Sequence, residues 1–217
     1  MNRLILVVSC ALVVALAILS CDRTSTDSVD ATLVTEKFNG VNYFPNDVGT
    51  EWIYEVHDVI TGTYDTVTVL IVAEDVWQSL DVTVWEYWWR NRVDTQYVAT
   101  QLNTLSFYNK GSTLPVAKYV IPLVDGAMWA YQHCYGMATT VVDFVDTCPP
   151  QAGDYKHCFE YYTHVVNYAF DDNSYYSGWL APNVGLVFGW RSEEFNYSII
   201  SKDIWVLIEY KRASGSR

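Results

Sequence analysis

Basic side chains are scarce in this sequence. Lys and Arg number 13 against 25 Asp and Glu, a formal net charge of −12 at pH 7. Nucleic acid is held mainly by Lys and Arg that neutralise phosphates, so that partner is excluded. The same imbalance argues against electrostatic adhesion to anionic lipid headgroups. Beyond the leader there is no convincing helical stripe of apolar residues. A short turn from Asp75 to Leu80 is the best helical candidate. The usual catalytic signatures are missing too, with no nucleophile elbow, P-loop or dinucleotide fingerprint. Of the four His, none has a partner at metal-ligand spacing. His133-Cys134 and His157-Cys158 each offer imidazole plus thiol. Neighbours on a strand face apart, however, so each pair gives at most one inward ligand. Asp171-Asp172-Asn173-Ser174 lacks the Gly and distal Glu of a calcium loop. Glu193 and Glu194 are adjacent and face apart, unlike a glycosidase pair. We expect no catalytic residue, no metal and no cofactor.

What is abundant is aromatic. The chain has 9 Trp, 17 Tyr and 8 Phe, residues favoured on pleated, half-buried surfaces. Tyr and Trp also suit walls with apolar matter on one side and water on the other. Their spacing has a period of two. Trp52, Tyr54 and Val56 alternate with Ile53, Glu55 and His57, and Val67, Val69 and Ile71 alternate with Thr66, Thr68 and Leu70. Trp85, Tyr87 and Trp89 share a face opposite Glu86, Trp88 and Arg90, and Ile204, Val206, Ile208 and Tyr210 form one face of the last run. Such alternation signals half-buried strands. Turn residues between the runs divide the chain into about ten strands. The fold expected is all-β: one antiparallel meander forming a strongly curved sheet or open barrel, because a long meander must close or be covered to hide its edges.

The two ends are different in kind. Arg3 opens a short positive start, and Leu4 to Leu19 is almost wholly apolar, shorter than the roughly 20 residues a membrane span needs. This layout is that of a secretory signal. Ile18-Leu19-Ser20-Cys21 resembles the bacterial lipobox, which implies cleavage before Cys21 and acylation of its thiol. Two or three acyl chains anchor stably where one does not. Asp22 resembles the enteric signal for inner-membrane retention, a rule other bacteria do not follow reliably. The outer membrane and the outer face of the inner membrane therefore both stay open. The expected organisation is a signal peptide at 1–20, a lipidated Cys with a flexible Ser/Thr/Asp-rich tether at 21–38, a β domain at 39–212 and a polar tail at 213–217.

Three cysteines remain in the domain, Cys134, Cys148 and Cys158. An oxidising compartment favours a disulfide, with one thiol left over. Cys148 and Cys158 flank the turn-like Pro149-Pro150-Gln151-Ala152-Gly153-Asp154, so a hairpin would bring them together. Three buried free thiols is the alternative.

Three segments resemble a loosely defined group of exported bacterial lipoproteins with no established activity. They are Tyr43-Phe44-Pro45-Asn46-Asp47-Val48-Gly49-Thr50-Glu51-Trp52-Ile53-Tyr54, then Ala152-Gly153-Asp154-Tyr155-Lys156-His157-Cys158, and Trp179-Leu180-Ala181-Pro182-Asn183-Val184-Gly185-Leu186-Val187. Asp154, Leu180 and Asn183 depart from that group's small hydroxyl residue, Tyr and Gly. Asn tolerates positive φ, so a turn at Asn183 survives. A looser likeness is to curved-sheet lipoprotein carriers and lipocalins, although Gly49-Thr50-Glu51-Trp52 is one residue longer than the lipocalin Gly-x-Trp. Tyr43, Pro45, Gly49, Gly153, Trp179, Pro182 and Gly185 read as structural devices, with Trp52 plugging one end of the barrel.

The function expected is a non-catalytic binding or interaction module of the cell envelope, held to its membrane by acyl chains. Trp52, Trp85, Tyr87 and Trp89 are the candidate lining of a cavity for lipid or another apolar ligand, and a filled core is the plainer reading. A structural lipoprotein docking on an envelope complex is the other alternative. An unmotifed hydrolase with an Asp or His in the barrel mouth is a third.

Overall fold

The computed structural model describes residues 42–167, 172–196 and 198–213, so the leader, Cys21 and the tether lie outside the described residues. Twelve antiparallel strands follow one another: β1 (Glu51–Asp58), β2 (Thr63–Trp77), β3 (Leu80–Trp88), β4 (Val93–Gln101), β5 (Thr104–Asn109), β6 (Ala117–Val120), β7 (Met128–His133), β8 (Gly136–Thr147), β9 (Lys156–Asn167), β10 (Asp172–Ala181), β11 (Gly185–Phe195) and β12 (Ser198–Lys211). The number is twelve rather than ten. β5, β6 and β7 are only six, four and six residues long, too short to carry the alternation by which longer strands show themselves. The expected helical turn at Asp75–Leu80 is instead the end of β2, a two-residue turn and the start of β3. Gln78 and Ser79 both have positive φ (49° and 65°), the geometry that matches a tight hairpin to strand twist. Among the described residues the helical piece is one 3-10 turn at Pro150–Ala152.

All strands lie in one sheet in the order β6-β5-β4-β3-β2-β1-β12-β11-β10-β9-β8-β7. The first strand pairs with the last, so the sheet's two edges are β6 and β7, consecutive in the chain. No ladder joins them among the described residues. Inward side chains of β7 reach across instead. Trp129 Nε1 donates to the Lys118 carbonyl at 2.8 Å, and His133 Nε2 bonds the Val116 carbonyl at 3.0 Å. The Cys134 amide donates to the Pro115 carbonyl at 3.2 Å. Carbonyls that a free edge would leave unpaired are thereby satisfied, and the sheet becomes a nearly closed barrel.

The inward faces of β1 and β2 follow the period of two: Trp52, Tyr54, Val56, Val67, Val69 and Ile71 are all buried. β12 breaks it. Ile53 pairs with Glu209 but Tyr54 pairs with Leu207, leaving Ile208 bulged out. An extra residue flips the alternation, so Trp205, Leu207 and Tyr210 pack on the core while Ile208 is exposed. The expected face of Ile204, Val206, Ile208 and Tyr210 is corrected accordingly; only Tyr210 points inward.

The chain enters at one end of the barrel and seals it. Tyr43 Oη donates to the His157 carbonyl at 2.8 Å, and the Asn183 amide donates to the Asn42 carbonyl at 2.7 Å. Trp52 Nε1 donates to the Val184 carbonyl at 2.6 Å. Gly185 sits beneath this knot with φ +94°, where a Cβ would come within 3.6 Å of both Pro45 and Trp52. Glycine meets both demands. The 43–54, 152–158 and 179–187 segments thus converge on one floor, although they are far apart in the chain.

Candidate ligand cavity

Above the floor the barrel is hollow. A cavity of about 360 Å³ lies within the size range of small-molecule sites. Its base is Phe44, Pro45, Trp52, Leu180, Gly185 and Leu186, and its wall carries Trp85, Phe107, Trp205 and the tyrosines Tyr54, Tyr87, Tyr119, Tyr131, Tyr161 and Tyr176. Polar residues gather at the opposite end. Gln96 lies in the first half of β4, Asn109 closes β5, Tyr135 follows β7, and Arg191 and Glu193 lie in the second half of β11. We take that end as the mouth.

Each wall is built by local rules. On β3, Trp85 stacks on Trp52 at 5.0 Å between ring centroids, and its Nε1 donates to Asn46 Oδ1 at 2.9 Å. The floor segment thereby pins the ring that begins the wall. A larger device lies across β10 and β11, where Gly178 pairs with Gly189. A Cβ on Gly178 would fall 2.6 Å from Leu186 Cδ1 and 2.7 Å from Tyr161 Cε1. The missing side chain is what lets Tyr161 and Leu186 lie flat on the sheet, leaving the space above them empty.

The hydroxyls inside are unevenly satisfied. Tyr54 Oη donates to the Leu186 carbonyl at 2.9 Å. Tyr119 and Tyr161 pack edge to face with centroids 5.4 Å apart and share a hydroxyl hydrogen bond. The Tyr131 oxygen accepts from the Lys118 amide. Tyr87 lines the cavity and its hydroxyl makes no hydrogen bond to the described residues, and the buried polar atoms left without a partner include Arg191 Nε at the mouth. Burial pushes Tyr54, Tyr87, Tyr119, Tyr131 and Tyr161 above the ordinary phenol range, so they stay neutral donors. Charge is confined to the mouth. There Arg191 Nη2 meets Asp203 Oδ2 at 2.8 Å, and its Nε lies 4.0 Å from Glu193 Oε1.

Of the four residues expected to line a cavity, Trp52, Trp85 and Tyr87 do so. Trp89 does not. It lies just beyond β3, edge-on to Trp205 at 5.4 Å, with the Arg92 guanidinium 4.9 Å over its ring. The other structural candidates lie as follows. Tyr43, Pro45, Gly49 and Gly185 belong to the floor, and Pro182 begins the turn that Asn183 completes with φ 58°. Trp179 packs on Phe188 at 5.3 Å on the outer face. Gly153 ends the 3-10 turn with φ 91°. Cys148 and Cys158 form a disulfide with Cα atoms 5.8 Å apart, and Cys134 is free. The Cys134 Sγ lies 3.7 Å from His133 Nδ1, a contact allowed because Cys134 falls past the end of β7, where strand alternation no longer holds. Sequence reasoning missed Tyr119, Tyr131, Tyr161, Tyr176, Arg191 and Glu193. The signal was present only as aromatic abundance, because strands distant in the chain bring these residues together.

No protein-family model and no curated protein matches the chain. Two solved structures are similar in part. One is a lipoprotein candidate from Parabacteroides distasonis, 14% identical, TM-score 0.39, covering 79% of this chain and 99% of its own. The other is an exported-protein candidate with a YmcC-like fold from Bacteroides fragilis, 16% identical, TM-score 0.43, covering 79% of this chain and 100% of its own. Superpositions this loose carry no argument about what the cavity holds.

Proposed function

We propose that this chain is a lipid-anchored protein of the bacterial cell envelope whose barrel carries a small apolar or amphipathic molecule. One observation carries the reading: a cavity of about 360 Å³ walled by aromatic rings, with charge only at its mouth. A ligand seated against these rings takes their apolar faces out of water, the main favourable term for binding in such a site. The alternative of a docking lipoprotein would gain from an open sheet edge, but β6 and β7 turn their edges toward each other. The export leader and the lipobox-like Ile18-Leu19-Ser20-Cys21 supply the address and the anchor in this reading.

Native mass spectrometry of the protein purified from a bacterial envelope tests the carrier role. A small-molecule adduct released on denaturation is expected, and repeatedly ligand-free spectra would overturn it. Metabolic labelling with a fatty-acid probe tests the anchor separately. Label should appear on the native chain and vanish in Cys21→Ser.

A further inference from the structure

We infer that the cavity selects an uncharged, ring-bearing ligand with a hydrogen-bond acceptor such as a ketone carbonyl, which it receives at Tyr87 and the Tyr119–Tyr161 pair. This deepens the carrier reading and rests on it.

The first support is the imbalance of donors and acceptors in the cavity. Tyr54 and His133 spend their hydrogen bonds on the carbonyls of Leu186 and Val116, while the Tyr131 oxygen accepts from the Lys118 amide. His133 Nδ1 accepts from the Tyr135 amide at 3.1 Å, so Nε2 carries the proton that points at Val116. The donors of Tyr54 and His133 are used up. Tyr87 remains with an O–H and no partner, and the single bond between Tyr119 and Tyr161 leaves one of their two protons uncommitted. A desolvated donor left unpaired is costly, and an acceptor on the ligand removes that cost. The depth of the cavity therefore offers open O–H groups, with the side-chain carbonyls of the lining, Gln96 and Asn109, at its mouth.

The second support is where charge lies. The charged side chains of the lining, Arg191 and Glu193, stand at the mouth, where Arg191 Nη2 is paired with Asp203 and its Nε is buried without a hydrogen-bond partner. Nothing deep in the cavity would neutralise a carboxylate or an ammonium, so an ion there would lose its hydration uncompensated. The third is shape. Trp52, Trp85, Phe107 and Trp205 present ring faces and edges on several sides, which suit a flat ring in offset or edge contact. An aromatic cage for a quaternary ammonium uses similar rings. It leaves the open hydroxyl donors unmatched, however, so the neutral acceptor is the better fit.

The test compares two nearly isosteric probes, 2-acetylnaphthalene and 2-ethylnaphthalene, on the whole protein and on Tyr87→Phe, by calorimetry or Trp fluorescence. Tyr87→Phe removes a hydroxyl with no protein partner, so its Tm should not fall below the parent's; Tyr161→Phe serves as the second variant. The affinity ratio of ketone to hydrocarbon should fall about five- to tenfold in Tyr87→Phe, the net worth of one hydrogen bond. The hydrocarbon's own affinity should not weaken. A ratio unchanged in both variants overturns the acceptor inference and leaves the carrier reading standing. Binding of neither probe sinks the carrier reading itself. Tighter binding of phenyltrimethylammonium than of either probe overturns the inference in favour of a cation cage.

Discussion

Adding one methyl group at Gly178 should tell a hollow barrel from a filled one. Its backbone suits an L residue, so Gly178→Ala removes unfolded-state freedom and gains about 0.4–1 kcal/mol on that account. Against this, the new Cβ would meet Leu186 Cδ1 at 2.6 Å and the Tyr161 ring at 2.7 and 2.8 Å. Overpacking of this kind typically costs about 1–3 kcal/mol. Here both obstacles are ends of side chains that border a cavity of about 360 Å³, so they can yield and the cost falls at the low end. The net loss should be no more than about 0.6 kcal/mol, a fall in Tm of at most about 2 °C for a domain of this size. Gly189→Ala is the control. Its Cβ would fall 2.9 Å from the Ser177 carbonyl oxygen, which is backbone and cannot retreat into the void, so about 2–3 kcal/mol should be lost. Urea unfolding of both variants measures the pair. If Gly178→Ala costs as much as Gly189→Ala, Tyr161 has nowhere to go and the hollow-barrel reasoning is refuted. In Gly178→Ala, a displaced Tyr161 should also weaken 2-ethylnaphthalene binding, because the ring moves into the ligand's space.

Replacing both Cys148 and Cys158 by Ala opens a loop with a sequence separation of 10, and chain-entropy reasoning puts the loss near 3 kcal/mol in chemical denaturation; an unchanged midpoint would contradict it. His133 gives a pH signature. Burial lowers its pKa below the ordinary imidazole value, so the unfolded chain takes up the proton first as pH falls. Its contribution is complete above the unfolded pKa of about 6.5 and declines below it. His133→Gln should flatten the stability–pH curve as pH falls below about 6.5, and a curve of unchanged slope would refute the assignment.

Strand content and sheet closure were legible because a half-buried strand must alternate, and Trp52, Tyr54, Val67 and Val69 do so without exception. β12 was misread because a bulge at Ile208 shifts the inward phase mid-strand, an event set by its pairing with β1 and not by its own residues. Gln78 and Ser79 escaped notice because they are not the Asn-Gly pair that usually marks such a turn. The floor was anticipated in parts, as three short segments, but their meeting depends on the first strand pairing with the last. Hollowness was the hardest to foresee. An inward Tyr looks the same in sequence whether it touches a neighbour or borders empty space, and Gly178 gives no hint that it exists to let Tyr161 lie flat.

The wall of this barrel is not equally strong all the way round. Eleven strand junctions are hydrogen-bonded ladders, four of them interrupted by a register shift; at the remaining one, between β6 and β7, three isolated bonds from Trp129, His133 and Cys134 hold the edges together. Thermal breathing is concentrated where the fewest bonds must break at once. In the proposed carrier role this seam is where the wall would part first, and loss of a single stitch such as Trp129 Nε1 to the Lys118 carbonyl should speed amide exchange along β6.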